Sequence, residues 1–456
     1  MLAIPVSNPA PRRYTALQRR MYRYPPSYEA RCQAELSLGL DHVPAYASWQ
    51  AILAGETACS VDERFRRLPL LTKADIRRAG LTGLAAPGYD VDAALASNEI
   101  SVTHTSGTTD ERVDLVWTQA WWDACERASW TINAHTAGLD DHPEAILCSP
   151  LSVGVRGHGR SLDWNERRLA RFLFLNEYDD SRDWTDDHVR RMAAEMDRFQ
   201  PVVLEANPTQ LARFARRLMA LGLRCHTPHL IVLTYEFPSA VHLRQARRAF
   251  DCPIASSYGC TEAGYVFMEC ACGCLHQNVD FVRVEFQPLT ARFDLPGIGR
   301  IALTSLGNPW RVLLRFDVGD LVRLRPPDQP CACGIREGVV VDRMEGRVKD
   351  LTFDAAGRPI TVAGLDAAVA AVPSVLEYRV TQTAPRRLTA AAVFEDDPVT
   401  GAARLREQLT GLYRTADVAV ESVPAIAPEP SGKHRIAHGS QPFDSDALFE
   451  GLAAAP

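Results

Sequence analysis

No run of about 18 apolar residues occurs in this chain, so a membrane-spanning helix is not expected. The opening MLAIPVSNPAPRRYTALQRRMYRYPPSYEA has no apolar core of the kind a secretory leader needs. A basic surplus is missing too. Lys and Arg number 50 against 56 Asp and Glu, a net charge of −6, which argues against a general nucleic-acid binder. There is no internal repeat and no low-complexity tract. The expected address is the cytoplasm, where disulfides are rare, so the 12 cysteines are expected to be free thiols, metal ligands or catalysts.

What is present fits a globular enzyme of two or more domains: 456 residues, 46% hydrophobic and 23% charged. Helical spacing of apolar residues runs from Ala124 to about Gly138, from Asp187 to Phe199, and through TQLARFARRLMALGL, Thr209 to Leu223, with a glycine stop. Short apolar runs alternate with these helices: EAILCSP, PVVLEANP, PHLIVLTYEFP and CPIASSYG. Their length and flanking turns predict buried parallel strands in an α/β layered domain. After about residue 278 the text changes to alternating strands, FVRVEFQP, GRIALTSL, DLVRLRPP and VVVDRMEG. Beyond Gly346 a smaller α+β unit of about a hundred residues is expected. The predicted division is 1–346 and 347–456.

Five stretches carry chemistry. In THTSGTTDER, Thr103 to Arg112, hydroxyls around Gly107 suit the oxygens of a phosphate. No Gly-Lys-Ser/Thr follows, so this is not a Walker loop. SSYGCTEAG, Ser256 to Gly264, offers Ser257, an aromatic face at Tyr258 for a base, close approach at Gly259, and a Thr261–Glu262 pair suited to Mg²⁺. LRFDVGDLV supplies Asp320, able to grip two sugar hydroxyls. EGRVKD sits at the proposed boundary, and EPSGKHR places Lys433 on a Gly-containing loop. A solvated turn explains any one of these; their order and separation together are specific.

That set resembles the adenylate-forming superfamily of acyl-CoA synthetases and adenylation domains, most of all its phenylacetate–CoA ligase branch. The resemblance runs from about Arg64 to Ala437. It implies a large layered α/β domain and a small C-terminal α+β domain that rotates about a hinge. It implies that Thr105, Ser106, Gly107, Thr108 and Thr109 embrace the ATP phosphates, that Tyr258 stacks on adenine, and that Thr261 and Glu262 lie near Mg²⁺. By the same match Asp320 holds the ribose, Arg347 lies near the nucleotide, Lys349 is the hinge, and Lys433 is the adenylation lysine. Glu236, in TYEFP, resembles a glutamate lining the nucleotide and acyl pocket. Two departures are visible. Asp110 and Arg112 stand where the family loop has Gly and Pro, and the segment after the hinge is short of glycine, which leaves the acceptor open.

The implied reaction activates a carboxylic acid, of the aryl or arylalkyl class, to an acyl-adenylate and passes it to CoA. Other acceptors within the class are a carrier-protein thiol, an amine, or nitrite on an aryl amine. The rival from another class is a non-catalytic nucleotide-binding protein. Implied partners are the small acid and CoA or a carrier protein, without nucleic acid or membrane; a homodimer is left open.

The cysteine knots ECACGCLHQ and PCACG admit a metal site, reduced surface thiols, or a redox role. At this spacing in a cytosolic enzyme, zinc is read before a disulfide. The family branch resembles this arrangement and implies Cys270, His276, Cys331 and Cys333 as a structural Zn²⁺ set, with Cys272 as an alternative to Cys270. The three tryptophans of QAWWDACERASW are read as core or acyl-pocket packing.

Overall fold

The computed structural model describes residues 22–53, 59–105, 112–153, 160–326, 328–415, 417–439 and 443–450. A short antiparallel hairpin, β1 (Ser101–His104) and β2 (Asp114–Trp117), precedes the main sheet. The parallel strands follow: β3 (Glu144–Leu147), β4 (Arg168–Leu169), β5 (Phe172–Phe174), β6 (Val203–Ala206), β7 (Leu230–Leu233) and β8 (Ile254–Cys260), with β4 the antiparallel edge. The sheet continues antiparallel through β9 (Gly264–Glu269), β10 (Leu275–Gln277), β11 (Val282–Pro288), β12 (Ile298–Ser305), β13 (Phe316–Leu324) and β14 (Val340–Arg347). Its twelve strands run in the order β11-β12-β13-β14-β10-β9-β8-β7-β6-β3-β5-β4.

The parallel strands read as continuous apolar runs because both faces are covered. Ala145, Leu147, Leu204, Ala206, Ile231 and Leu233 point to one core cluster. That cluster is closed by the helices α2 (Asp186–Phe199), α3 (Pro208–Ala220) and α4 (Ala240–Ala249). Val203, Val232 and Ala255 point the other way, toward Trp130 at the end of α1 (Gln119–Trp130). The helix expected to reach Gly138 stops at Trp130. Asn133 instead spends its side chain on Glu269 O, at 2.6 Å, and on His135 N, at 2.8 Å, pinning the chain to β9.

Helix α3 shows how local chemistry fixes an entry. Asn207 Oδ1 accepts from Thr209 N (3.0 Å) and Gln210 N (3.1 Å), and Pro208 occupies the first turn, where its missing N–H costs nothing. Such a cap is worth about 1 kcal/mol.

After Arg347 the chain builds a separate four-stranded sheet, β19-β18-β17-β20, following the small hairpin β15 (Thr352–Phe353) and β16 (Pro359–Ile360). Its strands are β17 (Val375–Ala384), β18 (Arg387–Phe394), β19 (Val418–Ser422) and β20 (Ala437–Gly439). Leu365 and Val369 of α5 (Val362–Ala370) and Leu405 and Leu409 of α6 (Pro398–Tyr413) share its apolar core with Tyr378 and Val380. Residues 443–450 then leave this sheet. Leu448 and Phe449 pack with Leu289, Ile298 and Leu321 of the large sheet, and Arg300 Nη2 holds Asp446 Oδ1 at 2.9 Å. No helix among the described residues is long and apolar enough to cross a membrane.

Candidate active site

The candidate side chains gather where the C-terminal ends of the parallel strands meet the four-stranded unit, the crevice in which open α/β sheets bind ligands. Thr105 is buried, and its Oγ1 accepts from Val113 N at 3.1 Å, closing the base of the hairpin loop. Ser106, Gly107, Thr108 and Thr109 lie outside the described residues.

Tyr258 ends β8. Its hydroxyl donates to Asp320 Oδ2 at 2.7 Å, and the other oxygen of Asp320 takes Arg347 Nε at 3.0 Å. Asp320 and Arg347 are register partners on β13 and β14, so the sheet itself sets this pair. Ser257 is buried with an unpartnered Oγ. Gly259 has a structural reason as well as the expected one: a Cβ there would lie 2.5 Å from Gly264 O across the tight β8–β9 turn. Thr261, half-buried, and Glu262 occupy that turn. Glu262 is buried, and Lys73 Nζ stands 3.3 Å from its Oε1, without good hydrogen-bond geometry.

Lys433 arrives from the four-stranded unit on a turn in which Glu429 N donates to Lys433 O at 2.7 Å and Gly432 N to Glu429 O at 2.8 Å. Gly432 has φ +77, and a Cβ on it would lie 2.6 Å from Ser149 Oγ, so only glycine lets the loop dock this closely. Burial and then the positive charge of Arg347 pull the Lys433 ammonium down to about 8, with Glu236, Asp320 and Glu262 opposing. Glu236 anchors the loop: it accepts from His434 N at 2.5 Å and from Thr209 Oγ1 at 2.8 Å. Burial pushes Glu236 up, but the hydrogen bonds and charge of His434 outweigh it and hold the carboxyl at about 2. Lys349 lies in an exposed turn after β14, and its neighbour Asp350 is ion-paired with Arg435. A cavity of about 310 Å³ opens beside Tyr258, lined also by Glu236, Phe237, Pro238, Ser257 and Met344.

The structure also brings the two cysteine knots together. Cys270 follows β9, His276 is on β10, and Cys331 and Cys333 lie between β13 and β14. Their ligand atoms all fall within 4.8 Å of one another. Cys270 Sγ is 3.6 Å from Cys331 Sγ, and Cys333 Sγ is 3.3 Å from His276 Nε2. Ligands bonded at about 2.0–2.3 Å to a tetrahedral ion are separated by about 3.3–3.8 Å, so this donor set fits zinc. Cys272 is exposed and lies outside this group. Cys274, buried beside the group, takes Arg325 Nη1 at 3.3 Å.

Sequence reasoning missed Lys73, whose helix sits far upstream, and a buried set behind Lys433: Glu205, Tyr235, Glu126 and Tyr265. Only the tertiary fold joins these four, although Tyr235 stands inside TYEFP and Glu126 inside QAWWDACERASW.

Comparison with solved structures follows this geometry. A 2-hydroxyisobutyryl-CoA ligase in the postadenylation state, in complex with R3-HIB-AMP, superposes with a TM-score of 0.66 at 14% identity, over 93% of this chain and 92% of that one. The chain shares the fold of the adenylate-forming ligases. The same ligase in an open conformation with 2-HIB-AMP and CoA gives a TM-score of 0.57 at 14% identity, over 93% of this chain and 94% of that one. In its thioesterification state it gives 0.53 at 17% identity, over 92% and 91%. No family model matches the chain, and no curated protein matches it in sequence.

Proposed function

We propose that this adenylate-forming-fold protein is an ATP- and Mg²⁺-dependent ligase. It activates a carboxylic acid of the aryl or arylalkyl class to an acyl-adenylate and transfers the acyl group to the thiol of CoA. The observation that carries this reading is the convergence of Lys433, delivered on the turn before β20, on Asp320 of β13, Arg347 of β14, Glu236 and Glu262.

In this reading the adenine lies against Tyr258 in the neighbouring cavity, and Asp320 with Arg347 holds the ribose. The acid's carboxylate oxygen attacks the α-phosphorus of ATP; the bond to the β-phosphate oxygen breaks and pyrophosphate leaves. Lys433 offsets the charge that grows on the phosphoryl oxygens, an electrostatic contribution that grows as the site is shielded from solvent. Glu262 and Thr261 are the residues that would hold Mg²⁺, which supplies charge neutralisation on the polyphosphate. Thr105, with the loop Ser106–Thr109, would hold the leaving pyrophosphate. The half-buried aromatic rings of Trp122 and Tyr265, 5.1 Å apart, support an aryl substrate.

The reading takes 1–346 and 347–456 as two domains, with Lys349 the hinge that exchanges Lys433 for a thiol-admitting face. Cys270, His276, Cys331 and Cys333 would hold one structural Zn²⁺, tying the β9–β10 turn to the β13–β14 loop. Acid-dependent ATP–pyrophosphate exchange over a panel of aryl and arylalkyl acids tests the first half-reaction, and acyl-CoA detection by mass spectrometry tests the second. Absence of exchange with every acid would refute the reading.

A further inference from the structure

Behind Lys433, on the α1 side of the sheet, lies a polar and aromatic cluster unlike the rest of the core. Glu205 pairs in register with Ile146 and Val232 near the ends of β6, β3 and β7, and shares its face with Glu144 and Val203. It belongs to the site just described, because Cys148, at the end of β3, feels both Glu205 and Lys433, and the lysine loop rests on Ser149. The acid whose carboxylate meets Lys433 must extend toward this cluster, since the nucleotide side is taken by Tyr258, Asp320 and Arg347.

The partners of Glu205 are neutral. Tyr235 donates its hydroxyl, and Thr234 Oγ1 donates at 3.3 Å. The nearby cation, Arg171, is committed to Glu144 at 2.9 Å and is only loosely placed toward Glu126, at 3.8 Å. Glu126 itself is held by the Tyr265 hydroxyl at 2.7 Å. Glu205, Tyr235, Glu126 and Tyr265 are each half-buried, not sealed in the core. An independent feature points to a ligand there. Trp122 stacks obliquely on Trp117 at 4.2 Å and on Tyr265 at 5.1 Å, an aromatic wall beside the carboxylates. A carboxylate with aromatic faces is the surrounding that a protonated amine prefers, through ion pairing and cation–π attraction.

We infer that Glu205 is a specificity-determining residue of the acid pocket, and that the acid activated here carries a protonated amine that pairs with Glu205 beside Tyr265 and Trp122. This rests on the ligase reading above. In the ligand-free protein, burial and then the charge of Glu144 push the Glu205 carboxyl up to about 8, and burial raises Glu126 as well. Among the described residues, no cation is among the groups acting on Glu205, and an incoming ammonium would supply one.

The test is ATP–pyrophosphate exchange by the full chain with shape-matched pairs: 3- and 4-(aminomethyl)benzoate against 3- and 4-methylbenzoate and the two hydroxymethylbenzoates, and phenylalanine against 3-phenylpropanoate. In at least one pair the amine should be preferred in kcat/KM by about 10- to 100-fold, and Glu205→Gln should erase most of that ratio. Circular dichroism and thermal melting would establish that the variant is folded. Exchange with the neutral or hydroxylated acids at least as good as with every amine overturns the inference and leaves the ligase reading standing. So does an amine preference that Glu205→Gln does not move. Exchange with no acid at all defeats the ligase reading itself, and this inference with it.

Discussion

Arg213 on α3 closes on Glu377 of β17, with Nε 2.9 Å from Oε1 and Nη2 2.5 Å from Oε2, so a two-pronged ion pair joins the large sheet's helical layer to the four-stranded unit. Arg216 Nη2 adds a third contact at 2.8 Å, and Ile426 N donates to Glu377 Oε2 at 3.1 Å. Burial pushes the Glu377 carboxyl up, but the hydrogen bonds and charges of Arg213 and Arg216 dominate and hold it well below the ordinary range. Its folded pKa is therefore depressed. The stabilisation is present above the unfolded carboxylate pKa of about 4.3 and is lost as pH falls below that toward the folded value. Glu377→Gln should lower stability near neutral pH by about 3 kcal/mol, because it takes the nearest counter-charge from the buried Arg213 and the half-buried Arg216 and leaves Arg213 only the more distant Asp180. Wild type should lose more thermal stability than the variant between about pH 4.5 and 3. Melting profiles that run parallel over that range would refute the assignment.

Lys433→Ala should suppress acid-dependent pyrophosphate exchange by about 100-fold or more, since it removes a charge placed for the transition state. Thioester formation from supplied acyl-AMP should survive far better, because Lys433 is expected to leave the site for that step. Equal loss of both half-reactions would remove Lys433 from its proposed role.

The Lys433 ammonium also predicts a pH profile. With its folded pKa drawn down to about 8, the charged form is lost as pH rises through that value in the ATP-free protein. The kcat/KM for ATP, which reports groups of the free enzyme, should fall above about pH 8. A flat profile to pH 10 would mean that another cation carries the charge.

Freshly purified protein, never exposed to chelator, should contain about one zinc per chain by metal analysis. Cys331→Ser and His276→Ala should each lower zinc content and melting temperature together, because a four-ligand site contributes folding energy. Cys272→Ser should do neither, since its side chain is exposed and outside the group.

Lys349→Pro tests the hinge. Proline fixes φ near roughly −65° and deletes an N–H in the turn that follows β14. Pyrophosphate exchange should persist while transfer to CoA is abolished. If wild type makes acyl-AMP with an accepted acid yet never acyl-CoA, the acceptor is not CoA, and carrier thiols and amines become the substrates to test.

The sequence by itself determined the elements and the order of the motifs. Four apolar runs became β3, β6, β7 and β8 because strands covered on both faces must be apolar throughout, and apolar periodicity is a local property. The alternating strands after residue 278, and the small α+β unit beyond Gly346, were legible for the same reason. Local signals also singled out Asp320, Tyr258, Glu262 and Lys433 as candidates, since each stands inside a short motif, and the fold brings them near one another. What lies between distant segments was not legible. Lys73 reaches Glu262 across nearly two hundred residues of chain, and Glu205 meets Tyr235 and Tyr265 only because parallel strands and α1 bring one face of each to a common wall. Helix α1 ends at Trp130 because Asn133 is claimed by β9, a partner its own neighbourhood does not reveal. Cysteine spacing left Cys270 and Cys272 as alternatives; in the fold Cys270 is buried in a cluster with His276, Cys331 and Cys333, and Cys272 faces solvent. Periodicity and motif are written along the chain. Which charges meet in a buried site is decided by register and packing, which depend on every strand at once.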